Sequence, residues 1–431
     1  MAKRPPPTAP SPPAKAAKPA ATWFRRLGPG LITGAADDDP SGIATYSQAG
    51  AQFGLNMLWT VVLTFPLMAA IQAICARIGR VTGAGLATNM ARLLPRPLVH
   101  GIVALLFFAN TVNIGADLVA MGAAARLVLG WGETEFAILF AAASLTLQVF
   151  VPYHRYVHVL KWLTLALFAY VSVLFAIRID WPAVVQATLW PRLDWTREAF
   201  TVVVAVFGTT ISPYLFFWQS AEEVEEETLA GAGSLLDHPA DAHAELGRIG
   251  FDTYVGMGFS NFVAFCIILT TAVTLHASGI TDIETSAQAA EALRPIAGEL
   301  AFLVFSLGVV GAGLLALPVL AGSAAYAIGE VRGWRIGLER RPGDAKAFYG
   351  VIALAMTLGL AMLALPVDPI KALFWSAVLN GVIAVPLMAA TMVVASSRAH
   401  LGAFVAPRGL RLLGWIATAA MAAAAAAMFA F

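Results

Sequence analysis

The sequence predicts an all-α protein that crosses a lipid bilayer about eleven times. Three observations predict it. Of the 431 residues, 59% are hydrophobic and 12% carry charge, whereas an ordinary soluble domain is about one quarter charged. Apolar runs of about 20 residues, the length that crosses a ~30 Å hydrocarbon core as a helix, recur along the whole chain after residue 27. Lys and Arg gather in alternate connections between those runs, the asymmetry that orients a membrane protein.

The elements follow in order. Residues 1–22, "MAKRPPPTAPSPPAKAAKPAAT", are rich in proline, alanine and lysine and lack an apolar core, so they read as a disordered cytoplasmic tail rather than a cleaved signal. Residues 23–431 then form a single transmembrane domain. Spans are expected over 28–54, 56–77, 98–130, 134–152 and 157–178, over 197–220, 250–275, 296–330, 347–366 and 370–396, and over 409–431. Lys3, Arg4, Lys15, Lys18, Arg25 and Arg26 precede the first, Arg77, Arg80, Arg92 and Arg96 follow the second, Arg155 and Lys161 the fourth, and Arg332, Arg335, Arg340, Arg341 and Lys346 the eighth. That pattern places the N-terminus in the cytoplasm, as for a protein of a bacterial inner membrane, and the C-terminus outside. The acidic run Glu222 to Glu227 breaks the pattern; acids count for little in the rule, and the run reads as a solvated helix end. Cys75 and Cys266 fall inside apolar runs and read as small hydrophobes, not a disulfide. A net charge of +1 gives no sign of a nucleic-acid partner.

Two spans are interrupted. The first reads "GPGLITGAADDDPSGIATYSQAGAQFG", with Asp37, Asp38, Asp39, Pro40 and Gly42 in its middle. An ionised carboxylate inside a span costs a few kcal/mol and normally faces a cavity, a partner or an ion. A surface loop between two short helices is the plain alternative, but the apolar residues on either side are too few to span alone. Proline removes a donor and clashes with the preceding turn, and glycine permits unwinding, so an unwound stretch is expected from Asp39 to Gly42. The sixth span reads "FTVVVAVFGTTISPYLFFWQS", with a matching interruption from Thr209 to Ser212 before Pro213. Broken helices at mid-membrane, in corresponding spans of two halves, point to a secondary transporter. The spacing fits two inverted five-helix repeats, 28–178 and 197–396, with an additional helix over 409–431.

The first interrupted span resembles the first helix of the NRAMP divalent-metal transporters, in which a Gly-Pro-Gly precedes an Asp-Pro-Gly-Asn metal motif and a tail like "QAGAQFG". The likeness extends through "ARIGRVTGAGLA", "GADL" and "GTTISPY" and covers most of residues 25–397. It implies a LeuT-type fold and a metal ion between the unwound first and sixth helices. Asp39 matches the motif's Asp, but Gly42 stands at the Asn position, and Ser212, Pro213 and Tyr214 stand where the family has Met-Pro-His. Losing a thioether disfavours soft metals, while carboxylate, hydroxyl, carbonyl and water suit Mg2+, Ca2+ and Mn2+. Removing two bulky ligands leaves room for a partly hydrated ion, as in the NRAMP-related magnesium transporters. Tyr214 and Ala120 also occupy the positions of the family's titratable pair, although Asp117 matches its third-helix Asp. No chain of histidines crosses the interior, so proton coupling is not expected.

The leading functional reading is therefore alternating-access transport of a hard divalent cation held by the Ala36 carbonyl, Asp39, Thr209 and Ser212. Asp37 and Asp38 line the ion's vestibule or cap backbone. Asn380 lies near where the family has a polar residue facing the ion; an inter-helix hydrogen bond is its plain alternative. Thr209 and Ser212 have the plain alternative of bonding their own helix. The cation is cargo, no bound cofactor or obligate protein partner is expected, and nothing suggests an enzyme. A proton-coupled Mn2+/Fe2+ importer and an organic-solute carrier of the same fold remain as alternatives, as does a non-transporting metal receptor. The aspartates disfavour a site for an anionic solute.

Overall fold

The computed structural model describes residues 29–152, 163–192 and 195–431. The expected tail, 1–22, lies outside them, as does part of the expected fifth span. Among the described residues every regular element is helical.

The first expected span is two helices, α1 (Pro29–Asp37) and α2 (Pro40–Phe53). A single turn over Gly54–Met57 leads into α3 (Leu58–Thr82). Gly54 makes that turn at φ 57°, and a side chain there would press on the His276 ring, which bonds the Ala51 carbonyl at 2.7 Å. A short amphipathic helix, α4 (Leu86–Leu93), precedes the long α5 (Arg96–Leu129), α6 (Glu133–Phe150) and α7 (Phe168–Ala176). Helix α8 (Trp181–Leu189) turns by 119° from the segment before it.

The second half opens on another divided span, α9 (Arg197–Thr210) and α10 (Pro213–Leu229). It continues through α11 (Ala242–Thr274), the short α12 (Ser286–Glu291), α13 (Ala301–Arg332), α14 (Lys346–Leu360) and α15 (Pro369–Ser396). Helix α16 (Arg408–Ala430) closes the chain. Among the described residues nine helical stretches are long and apolar enough to cross a membrane, or ten with the bent pair at Leu165–Leu189. One of the nine, Pro40–Thr82, joins half of the first expected span to the whole second one.

Burial sorts these helices into a centre and a rim. The most apolar 18-residue window of Arg197–Leu229 is wholly buried, whereas that of Glu133–Phe150 is 22% buried. The divided span α9–α10 is thus the axis of the bundle, and α6 shows most of its surface to lipid. Small residues bring the broken helices into backbone contact, as membrane helices require when no hydrophobic force drives them together. A methyl on Gly34 of α1 would overlap the Gly256 carbonyl of α11, and one on Gly208 of α9 would overlap the backbone of α15 at Ala377 and Gly381. These two crossings seat the ends of α1 and α9 in the protein interior.

The acidic run is not the solvated helix end that the sequence suggests. The Glu223 carboxylate is fully buried and paired with Arg248 at 2.9 Å, and Glu227 meets Arg80 at 3.3 Å. Glu225 accepts from the Tyr326 hydroxyl at 2.7 Å and the Leu338 amide at 2.9 Å. Arg80, Arg248, the Tyr326 hydroxyl and the Leu338 amide of the loop after α13 compensate three of the acids, so α10 carries these charges into packed structure.

Candidate metal site

The two prolines set the site's geometry. Helix α1 ends at Asp37, and α2 starts at Pro40, whose fixed φ and missing N–H suit the first helical position. Asp39 is the N-cap: its Oδ1 accepts from the Gly42 amide and the Ser41 hydroxyl, both at 2.7 Å. The unwound residues are therefore Asp38 and Asp39, earlier than the expected Asp39–Gly42, and Gly42 lies in the first turn of α2. The second break shifts the other way. Thr209 and Thr210 end α9, Ile211 and Ser212 are unwound, and Pro213 begins α10. The sequence places the first break around its proline and the second just before its proline, and in both cases the proline itself starts the next helix.

Each proline also denies a carbonyl its regular helical donor, four residues back. At the first break that carbonyl belongs to Ala36, which receives the Tyr214 hydroxyl at 3.2 Å. At the second it belongs to Thr209, and the Ser212 hydroxyl fills the gap at 2.6 Å. The Ser212 hydroxyl is thus turned into its own helix, the plain alternative for that residue.

The remaining oxygen of Asp39, Oδ2, faces other helices. It accepts from Asn113 Nδ2 at 3.0 Å and from the Tyr214 hydroxyl at 3.4 Å. Asn113 also reaches Asp117 Oδ2 at 3.4 Å, and its Oδ1 accepts from Asn380 at 3.3 Å. Asn380 accordingly connects to Asp39 through Asn113. Thr209 faces the first break: a Cβ on Gly42 would lie 3.2 Å from its Oγ1 and 3.5 Å from the Asp37 carbonyl. Nearby, the Tyr46 and Thr210 hydroxyls meet at 3.1 Å. The two breaks therefore face each other. Asp39, Thr209, Ser212, Tyr214, Asn113 and Asn380 are all at most 1% exposed.

Asp37 and Asp38 turn elsewhere. Both accept from the Ser260 hydroxyl of α11, at 2.7 and 3.0 Å. Asp37 Oδ1, Asp38 Oδ2, Asp117 Oδ1 and Thr209 Oγ1 are buried without a hydrogen-bond partner in the protein. Among the described residues no three His, Cys, Asp or Glu side chains converge to hold a metal ion. The arrangement offers the Asp39 carboxylate with neutral oxygens around it, a set of hard oxygen donors.

Sequence reasoning missed Asn113 and Ser260. Asn113 stands four residues before Asp117, hence on the same helix face, a spacing that marks it as Asp117's neighbour. Ser260 has no such signal; a lone serine in an apolar helix is ordinary.

A bundle of apolar helices, two of them broken and facing each other around a buried carboxylate, defines the core of a secondary transporter. A family model described as natural resistance-associated macrophage protein-like, Nramp, matches residues 30–430, and the chain belongs to that family. The divalent metal cation transporter MntH of Klebsiella pneumoniae is 27% identical over 409 residues, 91% of each chain. Its counterpart from Pectobacterium carotovorum is 29% identical over 67% of this chain and 68% of its own length. Among solved structures, a mutant of the Eremococcus coleocola manganese transporter superposes with a TM-score of 0.76 at 14% identity, over 96% of this chain and 88% of that one. The nucleobase-cation-symport-1 family transporter Mhp1 gives 0.57 at 13% identity, over 93% and 92%. The fold is of the LeuT type, and the protein is a multi-pass membrane protein.

Proposed function

We propose that the protein carries divalent metal cations through the membrane by alternating access, that it favours the hard ions Mg2+ and/or Mn2+, and that it moves them without protons. The observation that carries this reading is the set of oxygens between the two breaks: Asp39, the Ala36 carbonyl and the unpartnered Thr209 hydroxyl. Ser212 contributes after its hydroxyl leaves Thr209, and Gly42, which adds no side chain, keeps Thr209 Oγ1 open toward the first break. Asp37 and Asp38 supply negative potential along the approach, and Asn380 acts through Asn113. The names of the MntH relatives and of the manganese transporter support a divalent cation as cargo.

An all-oxygen shell gives Mn2+ little advantage over Mg2+ and makes Cd2+ a poor ligand partner. Uncoupled transport rests on Tyr214 and Ala120, which offer no group that titrates near neutrality at those buried positions. The chain would work as a carrier in a bacterial inner membrane, with its N-terminus in the cytoplasm and neither a bound cofactor nor an obligate protein partner. Proteoliposomes test the reading. Mg2+ and Mn2+ should enter down their gradients, reported by an internal metal dye, while an internal pH dye stays flat with the membrane potential clamped. Acidification that accompanies uptake would instead indicate a proton-coupled importer, and absence of metal flux would remove the carrier reading.

A further inference from the structure

We propose that the Tyr214 hydroxyl oxygen is a further ligand of the transported cation, next to the Ala36 carbonyl and Asp39 Oδ2. The proposal rests on the carrier reading above and adds a residue to its site. Tyr214 follows Pro213 at the start of α10, its side chain is fully buried, and its hydroxyl, besides a contact with the Ser212 side chain, faces two acceptors: Ala36 O at 3.2 Å and Asp39 Oδ2 at 3.4 Å. The hydroxyl has one hydrogen, which points well to only one acceptor at a time. Both separations also exceed the ~2.7–2.8 Å of a normal O–H···O bond. As a hydrogen-bonding arrangement it is poor.

As a coordination arrangement it is good. Oxygens at right angles around an octahedral ion are about 3.0 Å apart when the metal–oxygen distance is ~2.1 Å, as for Mg2+, and about 3.4 Å apart at ~2.4 Å. The tyrosine oxygen stands 3.2 and 3.4 Å from the other two, between these edge lengths and a few tenths of an ångström wider than a closed Mg2+ shell. Both neighbours have capacity for an ion. Pro40 denies the Ala36 carbonyl its helical donor, and the Asp39 cap uses Oδ1, leaving Oδ2 outward. On ion binding the phenol turns its O–H out of the triangle and presents a lone pair, remaining neutral throughout. The ligand set then carries a single negative charge against a dication, which favours release over permanent occupancy.

The test measures Mn2+ and Mg2+ binding to the purified full-length protein by calorimetry, for wild type, Y214F and D39A. Removing one oxygen should weaken both ions about tenfold in Y214F, with melting of the ion-free protein unchanged. Loss of saturable binding in D39A together with unchanged or tighter binding in Y214F would overturn the tyrosine assignment and leave the carrier site standing. Wild-type binding in D39A would instead overturn the site. Should Y214F fail to fold, 3-fluorotyrosine placed at 214 keeps the oxygen and the shape. Its 19F signal should broaden beyond detection with one equivalent of bound Mn2+, and a signal that stays sharp at saturation would overturn the proposal.

Discussion

Replacing Asp39 by asparagine separates its two tasks. Oδ1 caps α2 through Gly42 and Ser41, and Oδ2 faces Asn113 and Tyr214. Asparagine is as good an N-cap as aspartate, whereas alanine loses about 1 kcal/mol there, so Asp39→Asn keeps the break intact and removes only the charge. Losing one charged partner of a buried ionic contact costs about 2–5 kcal/mol, which is ~30- to 5,000-fold in affinity. The readout is thermal stabilisation by the ion. At a concentration of about 100 times the wild-type Kd, wild type gains about 2.7 kcal/mol; a hundredfold weaker variant gains about 0.4 kcal/mol at the same concentration. Asp39→Asn should therefore melt like wild type without ion, lose nearly all of the shift with it, and transport nothing. Asp39→Ala should behave likewise with a lower starting melting temperature. A full ion-induced shift in Asp39→Asn would show that the cation is held elsewhere.

Three further outcomes are expected. Gly42→Asn with Ser212→Met should move uptake preference toward Mn2+ and Cd2+, at some cost in stability because the new Cβ crowds Thr209 Oγ1 at 3.2 Å; unaltered selectivity in competition uptake would place the ion away from these breaks. Gly34→Ala should push α1 off Gly256 and cost about 1–3 kcal/mol in a melting assay, as overpacking does; wild-type melting and uptake would refute the tight crossing. His400 bonds Asn89, and burial, then Arg92, lower its pKa. A depressed imidazole stabilises the fold fully above its unfolded value, near 6.5, and loses that contribution as pH falls through the folded value. Melting temperature should therefore fall slightly between pH 7 and 5, and His400→Gln should flatten that slope.

Much of the architecture was legible because membrane folding leaves strong traces: helix-length apolar runs, and prolines paired in the first and sixth spans. The breaks themselves were readable only to within a turn. Proline shows that a helix is interrupted nearby, but the cap of Asp39 decides that unwinding ends at residue 39 and that Gly42 is helical. The resemblance set Asp39 apart from Asp37 and Asp38, but what each carboxylate meets was not readable, since adjacent residues at a break point in directions set by the surrounding helices. Ser260 draws Asp37 and Asp38 toward α11, while Asn113 and Tyr214 face Asp39. Asn380 fell near the site as the resemblance suggests, yet its contact runs through an amide on α5. The acidic run misled because composition records the charges and not the Arg80 and Arg248 that reach them from distant positions.

The two breaks are built alike and are not equivalent. Each has a proline that leaves one carbonyl without its helical donor. At the second break a side chain three residues on closes that gap, with Ser212 donating to Thr209 at 2.6 Å. At the first break the corresponding residue is Asp39, an acceptor that cannot donate when ionised, so the Ala36 carbonyl is left to a long contact from Tyr214 on the other broken helix. A serine at that place would offer the carbonyl a donor and remove one carboxylate from the break; an aspartate adds a negative charge beside the carbonyl. On the proposed reading a cation belongs to the first break, with Thr209 Oγ1 and Tyr214 as the contribution of the second. Asp39→Ser should then do more than remove a ligand: it should let the first break close on itself as the second does. That variant should be at least as stable as Asp39→Ala without ion and equally unable to bind it, and retention of binding by Asp39→Ser would refute the asymmetry.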